Sequence, residues 1–296
     1  MVELRAAGPG LLRQGFAGDT YNTAVYLARL GVPVRYACGV GSDRFAAPMR
    51  QAWREAGVDD SLARVVDGRS TGLYTIDVDA RGERHFSYWR DTSAARAYFD
   101  GDASPLEDAA PSVDVLYLSG ISVAILPPPA RERLFTLVQG LRARGAWLVF
   151  DNNHRPRLWP DAATARAAFE RFLGVADIAL VTLDDALALA PADDAADVLA
   201  RALALPCTEV VVKRGAAPTL VRAAGAPLAE VAPPRVERVV DTTAAGDSFA
   251  AGYLAARLRG LAPDRAANVG NRLAACVIGH PGAIIADDAM PADLWQ

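Results

Sequence analysis

The stretch Val239-Val-Asp-Thr-Thr-Ala-Ala-Gly-Asp-Ser-Phe249, continued by Ala250-Gly-Tyr-Leu-Ala-Ala-Arg257, combines two features that phosphoryl chemistry needs. Its later part is rich in helix formers, and the small residues at 244–246 let the chain turn tightly into that helix. Backbone amides at a helix start lack intrahelical acceptors and carry the positive end of the dipole, so together they form an anion site. Asp247 falls in the first turn, close to any phosphate those amides hold. A carboxylate there can take the proton of an attacking hydroxyl, help typically worth ~10²–10⁴ in rate. It can equally do no more than complement the helix dipole, and the residues alone leave both readings open.

A second group with chemical promise lies between residues 70 and 90. Two extended runs, 71–79 and 84–90, are joined by Ala80-Arg81-Gly82 and read as a hairpin. With Asp79 opposite Glu83, the register sets Tyr74 against Tyr88, and strand alternation brings Arg90 to the same face. Two phenols and a guanidinium suit a polyhydroxylated, acidic ligand; the plainer reading is a surface hairpin with an aromatic cross-strand pair. Near the start, Gly18 would let backbone approach a ligand, and Asn22 offers both a donor and an acceptor. An ordinary turn with Asp19 at a helix start accounts for the same residues. Arg155, on its own, reads as a surface charge. His85, His154 and His280 are separated and read as lid surface, loop or packing. There is no Gly-x-x-x-x-Gly-Lys-Ser/Thr phosphate loop, which argues against that class of ATPase.

These residues need a scaffold, and the apolar pattern supplies one. Runs rich in β-branched residues at 34–37, 113–118, 146–150, 178–181 and 209–213 read as buried strands. Between them, residues 20–30, 45–55, 130–144, 162–173 and 192–203 have helical spacing, with Pro127-Pro128-Pro129 a stiff lead into one helix. Strand and helix in alternation predict a parallel sheet covered on both faces, with ligands beyond the carboxyl ends of the strands. The 296 residues, 52% hydrophobic and 22% charged, suffice for a large core. A net charge of -4 with dispersed basic residues argues against nucleic acid as the main partner, but not against a small anion held by local arginines. Cys38, Cys207 and Cys276 lack metal-site spacing and suggest buried thiols in a reducing compartment. No apolar run reaches the ~18 residues of a membrane span, and no signal segment is seen, so the cytoplasm is the expected location.

Asp241-Thr-Thr-Ala-Ala-Gly-Asp-Ser-Phe249 closely resembles the second signature of the ribokinase-like (PfkB) carbohydrate kinases. The resemblance runs over nearly the whole chain. It includes Ala17-Gly-Asp-Thr-Tyr-Asn-Thr-Ala-Val-Tyr-Leu-Ala-Arg-Leu-Gly31, Gly72-Leu-Tyr-Thr-Ile76 and Gly82-Glu-Arg-His-Phe-Ser-Tyr-Trp-Arg90. It continues in Asp151-Asn-Asn-His-Arg-Pro-Arg-Leu-Trp159, Thr182-Leu-Asp-Asp185 and Pro281-Gly-Ala-Ile284. Within the family the details are most similar to the branch that phosphorylates 2-keto-3-deoxygluconate. The resemblance implies one kinase domain over 1–296: a ribokinase-like three-layer α/β/α sandwich with a small β lid mainly from residues 70–95. It implies ATP with Mg²⁺, and transfer to the terminal (6-) hydroxyl of the sugar acid.

Carried over position by position, the resemblance makes Asp247 the base and gives Ala244, Ala245 and Gly246 the anion hole, alanine at 244 being acceptable at negative φ. Gly18, Asp19 and Asn22 become sugar contacts. Tyr74, Tyr88 and Arg90 cover the substrate, joined by Arg155. Thr182, Lys213, Gly215, Thr243 and Asn271 fall on the nucleotide side, although Asn271 fits a core polar role equally well. Thr182-Leu-Asp-Asp185 is a weakened form of the family's Asn-x-x-Glu motif, and Mg²⁺ is expected to arrive with ATP rather than in a protein cage. The family opens with a strand ending in a pattern like Gly-Glu-x-Met-Val-Glu-Leu. This sequence starts at Met1-Val-Glu-Leu4, so the body of that strand is expected ahead of Met1. Apolar lid residues Phe86 and Trp89 allow a homodimer through the lid. The rivals are a kinase of a neutral sugar (fructose or ribose) and a non-catalytic sugar-binding regulator, which would have no need of Asp247.

Overall fold

The structure is a computed structural model, and it describes residues 1–8, 10–78, 84–190 and 193–295. The chain opens with β1 (Val2–Gly8) and β2 (Leu11–Phe16), then α1 (Asp19–Arg29), β3 (Cys38–Gly41), α2 (Ala46–Glu55) and β4 (Ala63–Val66). The hairpin of β5 (Leu73–Val78) and β6 (Arg84–Trp89) follows, and then α3 (Pro105–Ala109), β7 (Val115–Ser119), α4 (Gly120–Ala124) and α5 (Pro128–Ala143). β8 (Trp147–Asp151), α6 (Ala162–Leu173), β9 (Ile178–Thr182), α7 (Leu183–Leu189), α8 (Ala195–Leu203) and β10 (Glu209–Arg214) continue the alternation. The chain closes with β11 (Ala217–Ala223), β12 (Ala229–Val231), α9 (Ala245–Leu258) and α10 (Pro263–Val277).

The main sheet has the order β12-β11-β10-β9-β8-β7, with β7 to β10 parallel and β11 and β12 antiparallel. The two-residue period of β8 sorts its side chains between two cores. Leu148 and Phe150 join Leu134 and Leu141 of α5 and Phe169 and Phe172 of α6 on one face. Val149 joins Tyr26 of α1, Leu254 of α9 and Leu273 of α10 on the other. Three layers result, as the sequence predicts. α9 is buried from Ser248 to Ala256, which its run of small residues permits. A Cβ on Gly252 would come within 3.0 Å of Gly270 on α10, so the two helices meet backbone to backbone.

The lid is wider than the expected 70–95. It is a four-stranded sheet, β2-β1-β5-β6, in which β1 pairs antiparallel with β2 and parallel with β5. Met1-Val-Glu-Leu4, expected as the tail of a core strand, instead leads into a lid strand. Tyr74 pairs with Tyr88 in the register expected from the hairpin. The Ala80-Arg81-Gly82 turn and the Asp79–Glu83 pairing lie outside the described residues, as does Ala192, where α8 was expected to begin. Cys207 is buried, while Cys38 and Cys276 are only half-buried, and all three are free thiols. No helix among the described residues is long and apolar enough to cross a membrane.

Residues 34–37, expected as a strand, make one isolated bridge, Arg35 to Asp59, before β3 begins at Cys38. Their other side faces a cavity of about 960 Å³ that separates β3 from β7. Without a hydrogen-bonded neighbour there, the extended run cannot become a ladder.

Candidate active site

The turn before α9 is stitched to its surroundings by a buried carboxylate. Asp241 accepts the N–H of Thr243 at 2.7 Å and that of Gly282 at 2.9 Å, and its own N–H donates to the carbonyl of Ile278 at 3.1 Å. Ala244 then caps the helix at φ +62°, in the left-handed region. This corrects the expected negative φ: the turn into α9 needs a conformation that glycine adopts freely and alanine adopts at a cost of roughly 1 kcal/mol. The N–H of Ala245 donates to Thr242 at 3.2 Å, so this one of the expected anion-hole donors is turned back into the protein. Gly246 and Asp247 follow in the first turn of the helix.

Asp247 is half-buried, and its Oδ2 accepts from Nδ2 of Asn22 at 2.8 Å. Burial raises its pKa first, the nearby charges of Asp19 and Asp151 add to that, and Asn22 and Lys213 oppose it, leaving it pushed up to about 7. A carboxylate that releases its proton near neutrality is suited to general-base work. Asn22 itself is buried, accepts the Gly18 N–H at 3.3 Å on its oxygen and holds Asp247 with its nitrogen. Expected as a sugar contact, it also ties α1 to Asp247 at the start of α9. Asp19, at the start of α1, accepts from the Ser119 hydroxyl and from Nδ2 of Asn153 at 3.1 Å.

Lys213 departs furthest from its expected place in a nucleotide loop. It is buried at the carboxyl end of β10, with Nζ 2.7 Å from Oδ2 of Asp151 at the end of β8. A Cβ built on Gly246 would lie 3.5 Å from that nitrogen, so the ammonium sits beside the turn into α9. Asp151, Ser119 and Asn153 were not singled out from the sequence. The available signal was position: each lies at or just after the carboxyl end of a predicted strand.

Of the other nucleotide-side residues, Thr182 is the register partner of Lys213 across β9 and β10, and Thr243 lies on the turn before α9. Gly215, at φ +61°, turns β10 into β11. The backbone of Thr182 is clasped by Asn152, N–H to Oδ1 at 2.9 Å and carbonyl to Nδ2 at 3.0 Å. Asn271 is buried and ties α10 to the sheet, accepting from the Thr219 hydroxyl at 2.9 Å and donating to the Val231 carbonyl at 3.1 Å. Of its two readings, the structural tie is the one these contacts describe.

On the lid, Tyr74 is buried and its hydroxyl donates to the carboxylate of Glu3 on β1, a residue the sequence reading passed over. Tyr88 is 42% exposed, its ring centroid 5.9 Å from that of Tyr74. The Arg90 guanidinium stacks over Tyr88 at 4.1 Å. Burial lowers the Arg90 pKa most, Asp19 opposes that, and the positive charge of Arg155 adds to it. Nη1 of Arg155 donates to the His154 carbonyl at 2.7 Å and, more weakly, to Oδ1 of Asp185 at 3.4 Å. His154 is buried against Phe169, and burial with Arg155 beside it lowers its pKa. Its ring thus stays neutral and packs.

A raised-pKa aspartate, a helix start and a lysine beside them fit transfer of a phosphoryl group. The sequence profile of the pfkB family carbohydrate kinases matches residues 9–290. The chain belongs to this family.

Among the relatives of this pfkB kinase, 2-dehydro-3-deoxygluconokinase of Escherichia coli (strain K12) is 45% identical, over 99% of this chain and 96% of its own length. The enzyme of the same name from Dickeya dadantii (strain 3937) is 44% identical over the same shares. Fructokinase of Klebsiella pneumoniae is 32% identical over 90% of this chain and 87% of its own. Among solved structures, a PfkB protein from Polaromonas sp. JS666 superposes with a TM-score of 0.79 at 28% identity, over 94% of this chain and 93% of its own. Aminoimidazole riboside kinase from Salmonella enterica, at 23% identity, reaches 0.81 over 98% and 93%, which supports the three-layer ribokinase-like fold.

Proposed function

We propose that this pfkB kinase moves the γ-phosphoryl group of ATP to the terminal (6-) hydroxyl of 2-keto-3-deoxygluconate. The observation that carries the reaction is Asp247, held by Asn22 in the first turn of α9 with a pKa near 7 and the Lys213 ammonium alongside. Asp247 takes the proton from the substrate hydroxyl as its oxygen bonds to the γ-phosphorus. The bond from that phosphorus to the bridging oxygen breaks, and ADP leaves with the electron pair. The Gly246 and Asp247 amides in the first turn and Lys213 face the negative charge in transit, and such fixed donors contribute about 3–4 kcal/mol each to lowering a barrier. The substrate follows from the relatives named for this compound, together with Arg90 and Arg155, a pair of guanidiniums that suits a carboxylate.

Mg²⁺ would neutralise the ATP phosphates. The residues fit an ion that arrives on the nucleotide, because Asp151 is already held by Lys213, and Asp185 by Arg155 and the His154 N–H. Closure of the lid over the sugar would exclude water and so suppress hydrolysis of ATP. Trp89, 60% exposed, and Leu12, 57% exposed, give the lid an apolar surface for a second copy, and we place the enzyme in the cytoplasm.

The test is ADP release measured against a panel of sugar acids and neutral sugars. The proposal expects kcat/KM for 2-keto-3-deoxygluconate to exceed that for fructose or ribose by at least ~10²-fold. A preference for fructose would support the second reading, a neutral-sugar kinase, which the 32% identity to a fructokinase keeps in view. The absence of turnover with every sugar would leave the non-catalytic regulator.

A further inference from the structure

The lid and the turn into α9 meet at Arg5 on β1. Strand alternation puts Glu3 and Arg5 on one face of β1, and the parallel register sets them beside Tyr74 and Ile76 of β5. Nε of Arg5 donates to Oε1 of Glu3 at 2.5 Å, and the other carboxylate oxygen of Glu3 accepts the Tyr74 hydroxyl. On the far side, Nη1 of Arg5 lies 3.9 Å from Oδ2 of Asp241, the oxygen that accepts the Gly282 N–H. Gly282, at φ +94°, leaves the guanidinium its space, since a Cβ there would come within 3.4 Å of Nη1. Next to this point Tyr74 and Ile76 of the lid pack with Ala283, Ile284 and Ala244, so lid, loop and turn share one apolar cluster.

A guanidinium placed only to hold the sheet would not be built this way. Arg13 lies directly opposite on β2, and a like-charged pair opposes strand pairing. Burial also works against the charge, and Glu3 and Asp241 outweigh it, raising the Arg5 pKa. Nη2 is buried and has no hydrogen-bond partner among the described residues, an arrangement that costs stability until the donor is used. Arg5 is thus bound closely to the lid carboxylate, Glu3, and only at long range to the turn carboxylate, Asp241. Asp241 in turn fixes the Thr243 and Gly282 amides, at 2.7 and 2.9 Å, on either side of the chain that leads into α9.

We propose that Arg5 is a positioning residue that couples the lid to the turn. A sugar that draws the lid down brings Glu3 and Arg5 with it, the gap to Asp241 closes to hydrogen-bonding distance, and the turn is held ready for phosphates. By linkage, a nucleotide on the turn favours the closed lid by the same factor. The inference rests on the reading of this chain as a sugar kinase. Its test is calorimetry of adenylyl imidodiphosphate with Mg²⁺, with and without saturating amounts of the sugar turned over fastest in the ADP-release panel. A wrong choice of sugar therefore changes the ligand and not the test, whereas a panel with no turnover would end the kinase reading and this one together. In the parent the sugar is expected to tighten the nucleotide analogue by ~10-fold, within the ~5–150-fold usual for coupled sites. In Arg5→Met that ratio should fall to within about twofold of one, with each ligand alone bound within about threefold of the parent. Arg5→Lys, which keeps the charge without the fork, should fall between, and Glu3→Gln, which cuts the lid side of the link, should behave as Arg5→Met. A ratio near one in the parent would overturn the proposal. So would a parent-like ratio in Arg5→Met or, where that variant does not fold, in both Arg5→Lys and Glu3→Gln. Equal weakening of both ligands at an unchanged ratio would make Arg5 a structural tie.

Discussion

The turn into α9 and the lid hairpin hold the residues proposed for the two halves of the chemistry, and they are held in opposite ways. The turn is fixed from every side by the protein: Asp241 fastens it to Gly282, Asn22 holds Asp247, and the buried Lys213–Asp151 pair lies beside it. The lid presents Tyr88 and Trp89 to solvent, and its Arg90 rests on the ring of Tyr88. The contrast teaches a division of labour. A reaction common to many sugars needs donors that do not reorganise, whereas the choice among sugars can be left to groups that the ligand itself completes.

The largest effect should come from Asp247→Asn, which is expected to lower kcat by ~10³-fold or more while ligand binding by calorimetry persists. The same variant tests the linkage. A carboxyl whose pKa is raised from 3.8 to about 7 contributes stability that is complete below the lower value and is lost as pH rises through the higher one. Asp247→Asn should therefore raise Tm at pH 8 and leave it unchanged at pH 3.5; a near-normal kcat would remove the base.

Lys213→Met is expected to cost ~10²-fold in kcat with a smaller change in the KM for ATP. Because Lys213 lowers the Asp247 pKa, the rising limb of the kcat/KM profile, expected near pH 7 in the parent enzyme, should move to higher pH. A limb that stays in place would make the Lys213–Asp151 pair a structural tie. Lys213→Arg keeps the charge and should hold the limb near its parent position.

On the lid, Arg90→Ala should raise KM for the keto-deoxy acid by ~10-fold, about 1.4 kcal/mol, with little change for a neutral sugar. Equal losses for both would show that Arg90 recognises no carboxylate, and the contrast between turn and lid would lose its meaning. The smallest effect is expected from Ala244→Gly, which relieves the left-handed φ and should stabilise the protein by about 0.5–1 kcal/mol, read as a rise of a few degrees in Tm. A fall in Tm would show that the chain entropy added by glycine exceeds the strain removed.

The sequence by itself determined the alternation of strand and helix, the three-layer arrangement and the place of Asp247 as a carboxylate in the first turn of a helix. Each of these depends on residues close together in the chain, such as a β-branched run, a helical period or small residues before a helix. The pairing of Tyr74 with Tyr88 was legible for the same reason, since a hairpin fixes its own register. Only the tertiary structure decided the partners of buried polar groups. Asn22 meets Asp247 across 225 positions, Lys213 meets Asp151 across 62, and Tyr74 meets Glu3 across 71. Burying an amide or an ammonium demands a partner, yet sequence pattern does not say which distant strand end will supply it. The left-handed Ala244 belongs with these, because the surrounding contacts, not the residue's own preference, hold the turn in that conformation.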